Sequence, residues 1–315
     1  EELDFHTDLN SLLEPKLEMM CDLKQYIDTS TDFVAEQIPL IFNGTDWQPS
    51  LIKEGMIFLV DVLMKASIVI GNNTSLSNDF TRLKRENQIF VDKFGGKNLV
   101  AQINSLQGFF SSANYIMEHL RDKIQSKQTH VSAITKMAIC ALDLIDSNKF
   151  FHPEEQTALI RFAIHSVYLT NSASYNVFKV KKKFVGRIKG VVQKNSFVPI
   201  LNDINLSAKE LIWSNAQSFG EKNYDWIDNS PELFSLVPGI EVIKRALRNY
   251  FMSLLPYMAL KSGSIEKMNS QNQNEYFDFA KEVIELISRG FVMLSAIQNR
   301  IKKQFCYKLE NRISE

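Results

Sequence analysis

The chain has 315 residues, of which 45% are hydrophobic and 23% charged, and this balance argues against intrinsic disorder. Lysine plus arginine equals aspartate plus glutamate at 36 each, which argues against a general nucleic-acid binder, because such proteins carry surplus cations. Any electrostatic function must therefore reside in local patches.

Glycine and proline number only 12 and 8, and both disfavour long helices, so their scarcity predicts a helical protein. Apolar residues recur at intervals of three and four along most of the chain. The first helix is predicted over 9–38. The second, over 50–70, is apolar on most sides and is expected in the core. Gly71–Ser75 supplies a closing glycine and N-cap candidates, and a third helix over 75–94 ends at Gly95 and Gly96.

The later part of the chain has the same helical pattern. Pro153, followed by Glu154 and Glu155, marks a helix start, because proline suits the first turn and acidic residues suit the helix dipole. The best candidate for a flexible loop is SGSIEKMNSQNQN, 262–274. Further helices are predicted over 97–126, 130–148, 153–172, 175–194, 198–218, 231–261 and 273–312.

These elements predict an all-α protein of about nine or ten helices. A polar break near residue 220 divides a helical bundle over 1–220 from a C-terminal helical hairpin over 221–315 that packs on it. The apolar run MIFLVDVLMKASIVIG carries Asp61 and Lys65, so we interpret it as a buried helix and not as a membrane span. The three cysteines lie far apart without a CxxC pair, which is typical of free thiols in a reducing, cytoplasmic compartment.

The sequence contains no phosphate-binding loop, dinucleotide fingerprint, zinc-protease motif or nucleophile elbow. His165 lies in an apolar helix and is interpreted as a core or boundary histidine. Cys140, within MAICALDLI, is interpreted as a small core residue. We therefore predict a protein that is not an enzyme and that has no metal or cofactor.

The segment KVKKKFVGRIKG, 179–190, contains six cations in twelve residues. Val180, Phe184 and Ile188 form an apolar stripe on a helix, so the favoured interpretation is a packed helix with a solvated basic face. The alternative is an anionic patch contact, with phosphate, anionic lipid or an acidic protein, made by Lys181, Lys182 and Lys183.

The segment NDFTRLKREN, 78–87, has a basic pair, Lys84 and Arg85, in the middle of the predicted third helix. On a helical wheel Arg85 points away from the apolar face, Thr81 and Gln88 flank it, Lys84 lies at the boundary and Arg82 lies on the other flank. The apolar face is formed by Leu76, Phe80, Leu83, Phe90 and Phe94, with Asn87 among them. Taken alone, this pattern is typical of a solvated helix face.

The same segment resembles the part of the CYFIP and CYRI proteins in which an Asn-Asp pair precedes two adjacent basic residues. A second segment, Phe150–Ile212, resembles the CYFIP stretch of the same length and order. Its matching features are the helix start at Pro153, the Tyr168-Leu169 pair, Tyr175, the lysines Lys181 to Lys183, and the Phe197-Val198-Pro199 turn. The chain continues past Trp213, near which CYRI proteins end, so the resemblance is closer to the N-terminal part of a CYFIP. A divergent CYRI-like protein with an extension is the alternative.

The resemblance implies an all-α domain that binds the GTP-bound form of the small GTPase Rac. It implies that Lys84 and Arg85 match the family's basic pair and that Thr74 falls at another interface position. Thr81, Arg82 and Gln88 are added to the predicted GTPase-binding surface because they flank the pair on the helical wheel. It also implies a cytoplasmic protein that is recruited to the plasma membrane at the leading edge through the GTPase, and that has subunits of the SCAR/WAVE complex as partners. A departure is Glu86, which follows the pair directly and is expected to weaken the basic patch.

Two other interpretations remain open from the residues alone. One is a helical scaffold or adaptor subunit that does not bind a GTPase, in which Lys84 and Arg85 are solvated. The other is an enzyme or lipid-binding protein of unfamiliar helical type, for which the lysines 181–183 provide the lipid contact.

Overall fold

A computed structural model describes residues 2–43, 48–71, 73–120, 127–147, 151–173, 244, 247–248, 251–252 and 270–314. Within these residues the secondary structure is helical, without a strand, which confirms the all-α prediction. The eight helices of the described part are α1 (Glu2–Asn43), α2 (Pro49–Val69), α3 (Thr74–Glu86), α4 (Gln88–Phe94), α5 (Gly96–His119), α6 (Lys127–Ser147), α7 (Pro153–Ala173) and α8 (Ser270–Ser314).

The described helices confirm several sequence-based boundaries. Proline occupies the first turns of α2 and α7, where its missing N–H costs nothing. The predicted helix over 97–126 ends at His119 and is followed by a turn at Leu120, so its predicted end was too late. The loop predicted over 262–274 was too long, because α8 begins at Ser270, where glutamine and glutamate favour helix.

Other predictions lie partly or wholly outside the described residues. They include the helices over 175–194 and 198–218, and most of the helix over 231–261. The proposed domain boundary near residue 220 falls there as well, so that division stays a prediction. No helix in the described part of the chain is long and apolar enough to cross a membrane.

The backbone contacts divide the chain into two compact units. Unit 1 comprises Glu1–Glu118, Asp146–Asn148 and Phe291–Glu315, and unit 2 comprises His119–Ile145 and Lys149–Gly290. The helix α8 therefore contributes its C-terminal half to unit 1 and its N-terminal half to unit 2.

The core of unit 1 surrounds α2, as its apolar sequence predicts. Met56, Leu59 and Leu63 of α2 are fully buried. An aromatic contact in this core joins Phe110 of α5 to Phe291 of α8, with ring centroids 4.9 Å apart. Other buried side chains of unit 1 come from α1, α5 and α8: Ile27, Val34, Ile38, Leu106, Phe109, Leu294, Ile297 and Ile301.

In unit 2, α6, α7 and the N-terminal half of α8 supply the described core. Ile134 and Met137 of α6, Leu159 of α7, and Val283 and Ile287 of α8 are buried. Buried apolar area of this kind is the main favourable contribution to folding.

The turn between α2 and α3 is held by α5, which fixes where α3 begins. The Asn114 amide is buried and its Nδ2 donates to the Ile68 carbonyl at 2.7 Å. Gly71 has a φ of +29°, and a Cβ at this position would lie 2.8 Å from the Asn114 Cβ. Only glycine fits this close approach without strain, so the turn that leads into α3 has a single favoured geometry.

Candidate functional site

The chain from Thr74 to Phe94 forms two helices, α3 and α4, and not the one long helix predicted over 75–94; the segment 78–87 lies in α3 and ends at the junction. Asn73 caps α3, because its side-chain Oδ1 accepts from the Leu76 N–H at 3.1 Å. The chain departs from helical geometry at Asn87, where φ is −101° and ψ is 9°. The buried Asn87 amide donates to the Leu83 carbonyl at 3.0 Å and so binds an acceptor at the end of α3.

This break changes the position of the basic pair. Lys84 and Arg85 lie in the last turn of α3 and not in the middle of a long helix. Cations in a last turn interact favourably with the exposed carbonyls and the negative end of the helix dipole. A last-turn position therefore suits a basic residue independently of any binding partner.

The buried face of α3 and α4 was mostly predicted correctly. The predicted apolar residues Leu76, Phe80, Leu83 and Phe94 are buried, as is Asn87, whereas Phe90 is only half-buried. Because this face is packed, the opposite face has a fixed direction.

Lys84 is held by an intramolecular contact. Its ammonium donates to the Asn104 side-chain Oδ1 on α5 at 2.7 Å and lies 5.3 Å from the centre of the Phe80 ring. Burial lowers the pKa of the Lys84 ammonium below its ordinary value. A partner protein that used this charge would therefore meet an ammonium of which one of the three N–H donors is already bound to Asn104.

Three of the remaining predicted contacts are also engaged within the chain. Arg82 lies 3.7 Å from the Asp79 carboxylate. The Thr81 hydroxyl donates to the Ser77 carbonyl at 2.9 Å, and the Gln88 amide donates to Asp92 at 2.9 Å. Thr74 is exposed at the first position of α3.

Arg85 differs from these residues. It is exposed, and its guanidinium has no hydrogen bond or ion pair with any residue that the structure describes. Its neighbour Glu86 is exposed too. Arg85 therefore presents five unused N–H donors in a planar fork, the geometry that pairs with a carboxylate through two hydrogen bonds.

The sequence interpretation missed one residue of this surface. Ile89 of α4 is 75% exposed. At the helical angle per residue it lies only about 40° around the axis from Arg85. The signal was present, because an isoleucine on the polar arc of a helical wheel is visible in the sequence, but only the polar residues of that arc were assigned to the site.

The second basic candidate, Lys181 with Lys182 and Lys183, lies outside the described residues, so the anionic patch contact stays a prediction. The features of the second resembling segment from residue 174 onward also lie outside the described residues and stay predictions.

Two further candidates from the sequence lie in unit 2. The His165 ring is buried, as predicted, with Nε2 3.4 Å from the Glu282 carboxylate. Burial raises the pKa of the half-buried Cys140 thiol to about 12, which keeps the thiol protonated at neutral pH. Among the described residues, no three His, Cys, Asp or Glu side chains lie close enough together to hold a metal ion.

Comparisons of the chain with protein-family models, with curated proteins and with solved structures found no match. The resemblance to the CYFIP and CYRI proteins therefore has no support beyond the two sequence segments described above. The site itself rests on the geometry of α3 and α4.

Proposed function

We propose that this protein binds the GTP-bound form of a Rac-type small GTPase through the outer face of α3, with Arg85 as the principal charged contact. Through that GTPase it acts in the regulation of actin assembly that depends on the SCAR/WAVE and Arp2/3 complexes. The observation that supports this most directly is the exposed guanidinium of Arg85, which has no hydrogen bond or ion pair with any described residue. Arg85 lies at the position that resembles the family's basic pair.

The geometry suits recognition of a carboxylate. A bidentate pair between arginine and a carboxylate combines charge with two directional hydrogen bonds, and it is stronger than a hydrogen bond between neutral groups. Arg85 projects from a helix whose other face is packed and whose start is capped, so little order has to be gained on binding. Selectivity for the GTP form would come from the GTPase, whose switch segments are ordered by the γ-phosphate.

In this proposal the two members of the basic pair have different roles. Lys84 already donates to Asn104, so we assign it mainly to the support of α3 against α5. Glu86 is exposed beside Arg85 and weakens the local positive potential, which favours a partner whose carboxylate approaches Arg85 closely over one that is drawn by long-range attraction.

The test is a titration of the chain with Rac loaded with a non-hydrolysable GTP analogue or with GDP, by isothermal calorimetry. The charge-reversal variant Lys84→Asp/Arg85→Asp is compared with Lys24→Asp/Lys97→Asp, which makes the same change in net charge at two exposed positions of unit 1. Circular dichroism confirms that both variants remain helical.

We expect the wild type and the control variant to bind only the GTP-analogue form, and the Lys84→Asp/Arg85→Asp variant to lose that binding. If the wild type binds neither form, or both equally, the proposal is wrong, and the helical scaffold that does not bind a GTPase becomes the better interpretation. If both double variants lose binding equally, the effect is one of net charge and not of this helix.

A further inference from the structure

The exposed residues of α3 and α4 are polar or charged with one exception. In these two fully described helices that exception is Ile89, which is 75% exposed. A single exposed aliphatic residue is common on protein surfaces and needs no functional explanation by itself. Its position is what distinguishes this residue, because it follows Arg85 by four residues.

Ile89 cannot turn toward the core, because four contacts fix the register of α4. Val91 and Phe94 are buried on the inner face of α4. At the junction with α3 the Asn87 amide donates to the Leu83 carbonyl. The guanidinium of Arg312 on α8 donates to the carbonyl of Lys93. The isoleucine is thus held in solvent by the packing around it.

The backbone carries the helical spacing across the junction. The Asn87 N–H donates to the Leu83 carbonyl at 3.0 Å, and the Val91 N–H donates to the Asn87 carbonyl at 2.9 Å. Residues four apart on such a path are neighbours, with Cβ atoms about 6 Å apart. Arg85 and Ile89 therefore form adjacent parts of one surface, the first charged and the second apolar.

We propose that Ile89 is the apolar anchor of the GTPase-binding surface and determines its specificity together with Arg85. The partner surface presents a carboxylate to Arg85 and an apolar depression to Ile89, about one helical turn away. Burial of Ile89 excludes water from the ion pair beside it, and this strengthens the pair. The inference rests on the proposed function and adds to it the residue that selects among acidic partners.

Val292 of α8 provides a matched control for this inference. It is also 75% exposed and aliphatic, and it belongs to unit 1. The experiment compares Ile89→Ser, Ile89→Leu and Val292→Ser in the calorimetric titration with GTP-analogue-loaded Rac. Urea unfolding of each variant separates effects on binding from effects on folding.

We expect Ile89→Ser to weaken binding about tenfold, a size typical of the loss of one well-buried interface side chain. Ile89→Leu retains binding within about threefold, and Val292→Ser within about twofold, since neither removes apolar surface from the interface. If Ile89→Ser binds like the wild type while Arg85→Gln does not, the inference is wrong and the proposed function stands. If the wild type shows no GTP-dependent binding, both are wrong.

Discussion

Two regions of unit 1 use basic residues in opposite ways. The first region is the contact between α2 and α8 around Asp61, which we call the seam. There the Asp61 carboxylate accepts from Lys302, from Lys65 at 2.8 Å and from the Tyr26 hydroxyl at 3.3 Å. On the outer face of α3, the Arg85 guanidinium points into solvent without a partner among the described residues. The charges around Asp61 are paired within the fold, whereas the charge of Arg85 is available to a partner.

The difference shows that the density of basic residues does not indicate which of their charges are paired within the fold. The segment RIKKQFCYKLENR, 300–312, of α8 carries more cations than the segment around Arg85. Two of them, Lys302 and Arg312, are used in contacts with α2 and α4. Sequence alone gives the charge, whereas the tertiary structure decides whether it is available to a partner.

The largest effect is expected from removing the central acid of the seam. In Asp61→Ala the ammonium groups of Lys302 and Lys65 lose their shared partner in a part-buried setting, so the free energy of unfolding should fall by about 2–3 kcal/mol. Urea unfolding followed by circular dichroism measures this change, with Asp28→Ala, an exposed acid of α1, as the control. Binding of the GTPase should be unchanged. A loss of binding without a loss of stability would contradict the assignment of Asp61 to stability and of Arg85 to binding.

A smaller effect, on binding alone, separates the two members of the basic pair. Arg85→Gln should weaken the complex with GTP-analogue-loaded Rac by about 2 kcal/mol and change the unfolding free energy by less than about 0.5 kcal/mol. Lys84→Gln should weaken the complex less, because the ammonium already donates to Asn104. Calorimetric titration and urea unfolding of both variants measure this contrast, and a greater loss of binding for Lys84→Gln would reverse the assigned roles.

The smallest effect concerns acid stability. Burial alone would raise the pKa of the Asp61 carboxyl, but hydrogen bonds from Lys302 and Lys65 outweigh it and hold the pKa below the ordinary 3.8. The unfolded chain therefore binds the proton more readily, so this contribution is complete above that pH and is lost as the pH falls below it. The stability advantage of the wild type over Asp61→Asn should be constant above about pH 5 and should shrink in acid.

Urea unfolding of both proteins over a series of pH values tests this expectation. An advantage that stays constant down to the lowest pH would show that the seam does not depend on the Asp61 charge.

Much of the fold could be predicted from the sequence because the relevant signals are local. The helix start at Pro153, the glycine at position 71 and the cap at Asn73 each follow from the preference of one residue type for one backbone position. The helix period also predicted most of the buried face of α3. These signals need no knowledge of the other helices.

The remainder depends on contacts between residues distant in the sequence. The break at Asn87 coincides with burial of this residue by the surrounding helices, and the sequence does not show which asparagines are buried. The engagement of Lys84 depends on Asn104, twenty residues away on α5. Ile89 is a different case, because its position beside Arg85 follows from the helical wheel although only polar residues were assigned to that face.

Unit 1 is formed by segments that are far apart in the sequence, and this affects the order in which the chain folds during synthesis. Gln298 donates to the Met64 carbonyl at 3.0 Å across a separation of 234 residues, and Lys53 pairs with Glu310 across 257. While the ribosome makes the intervening residues, the apolar face of α2 that α8 covers has no such cover. We therefore expect the first helices to stay incompletely packed until α8 has been synthesised. During that interval a chaperone can bind the uncovered apolar face of α2.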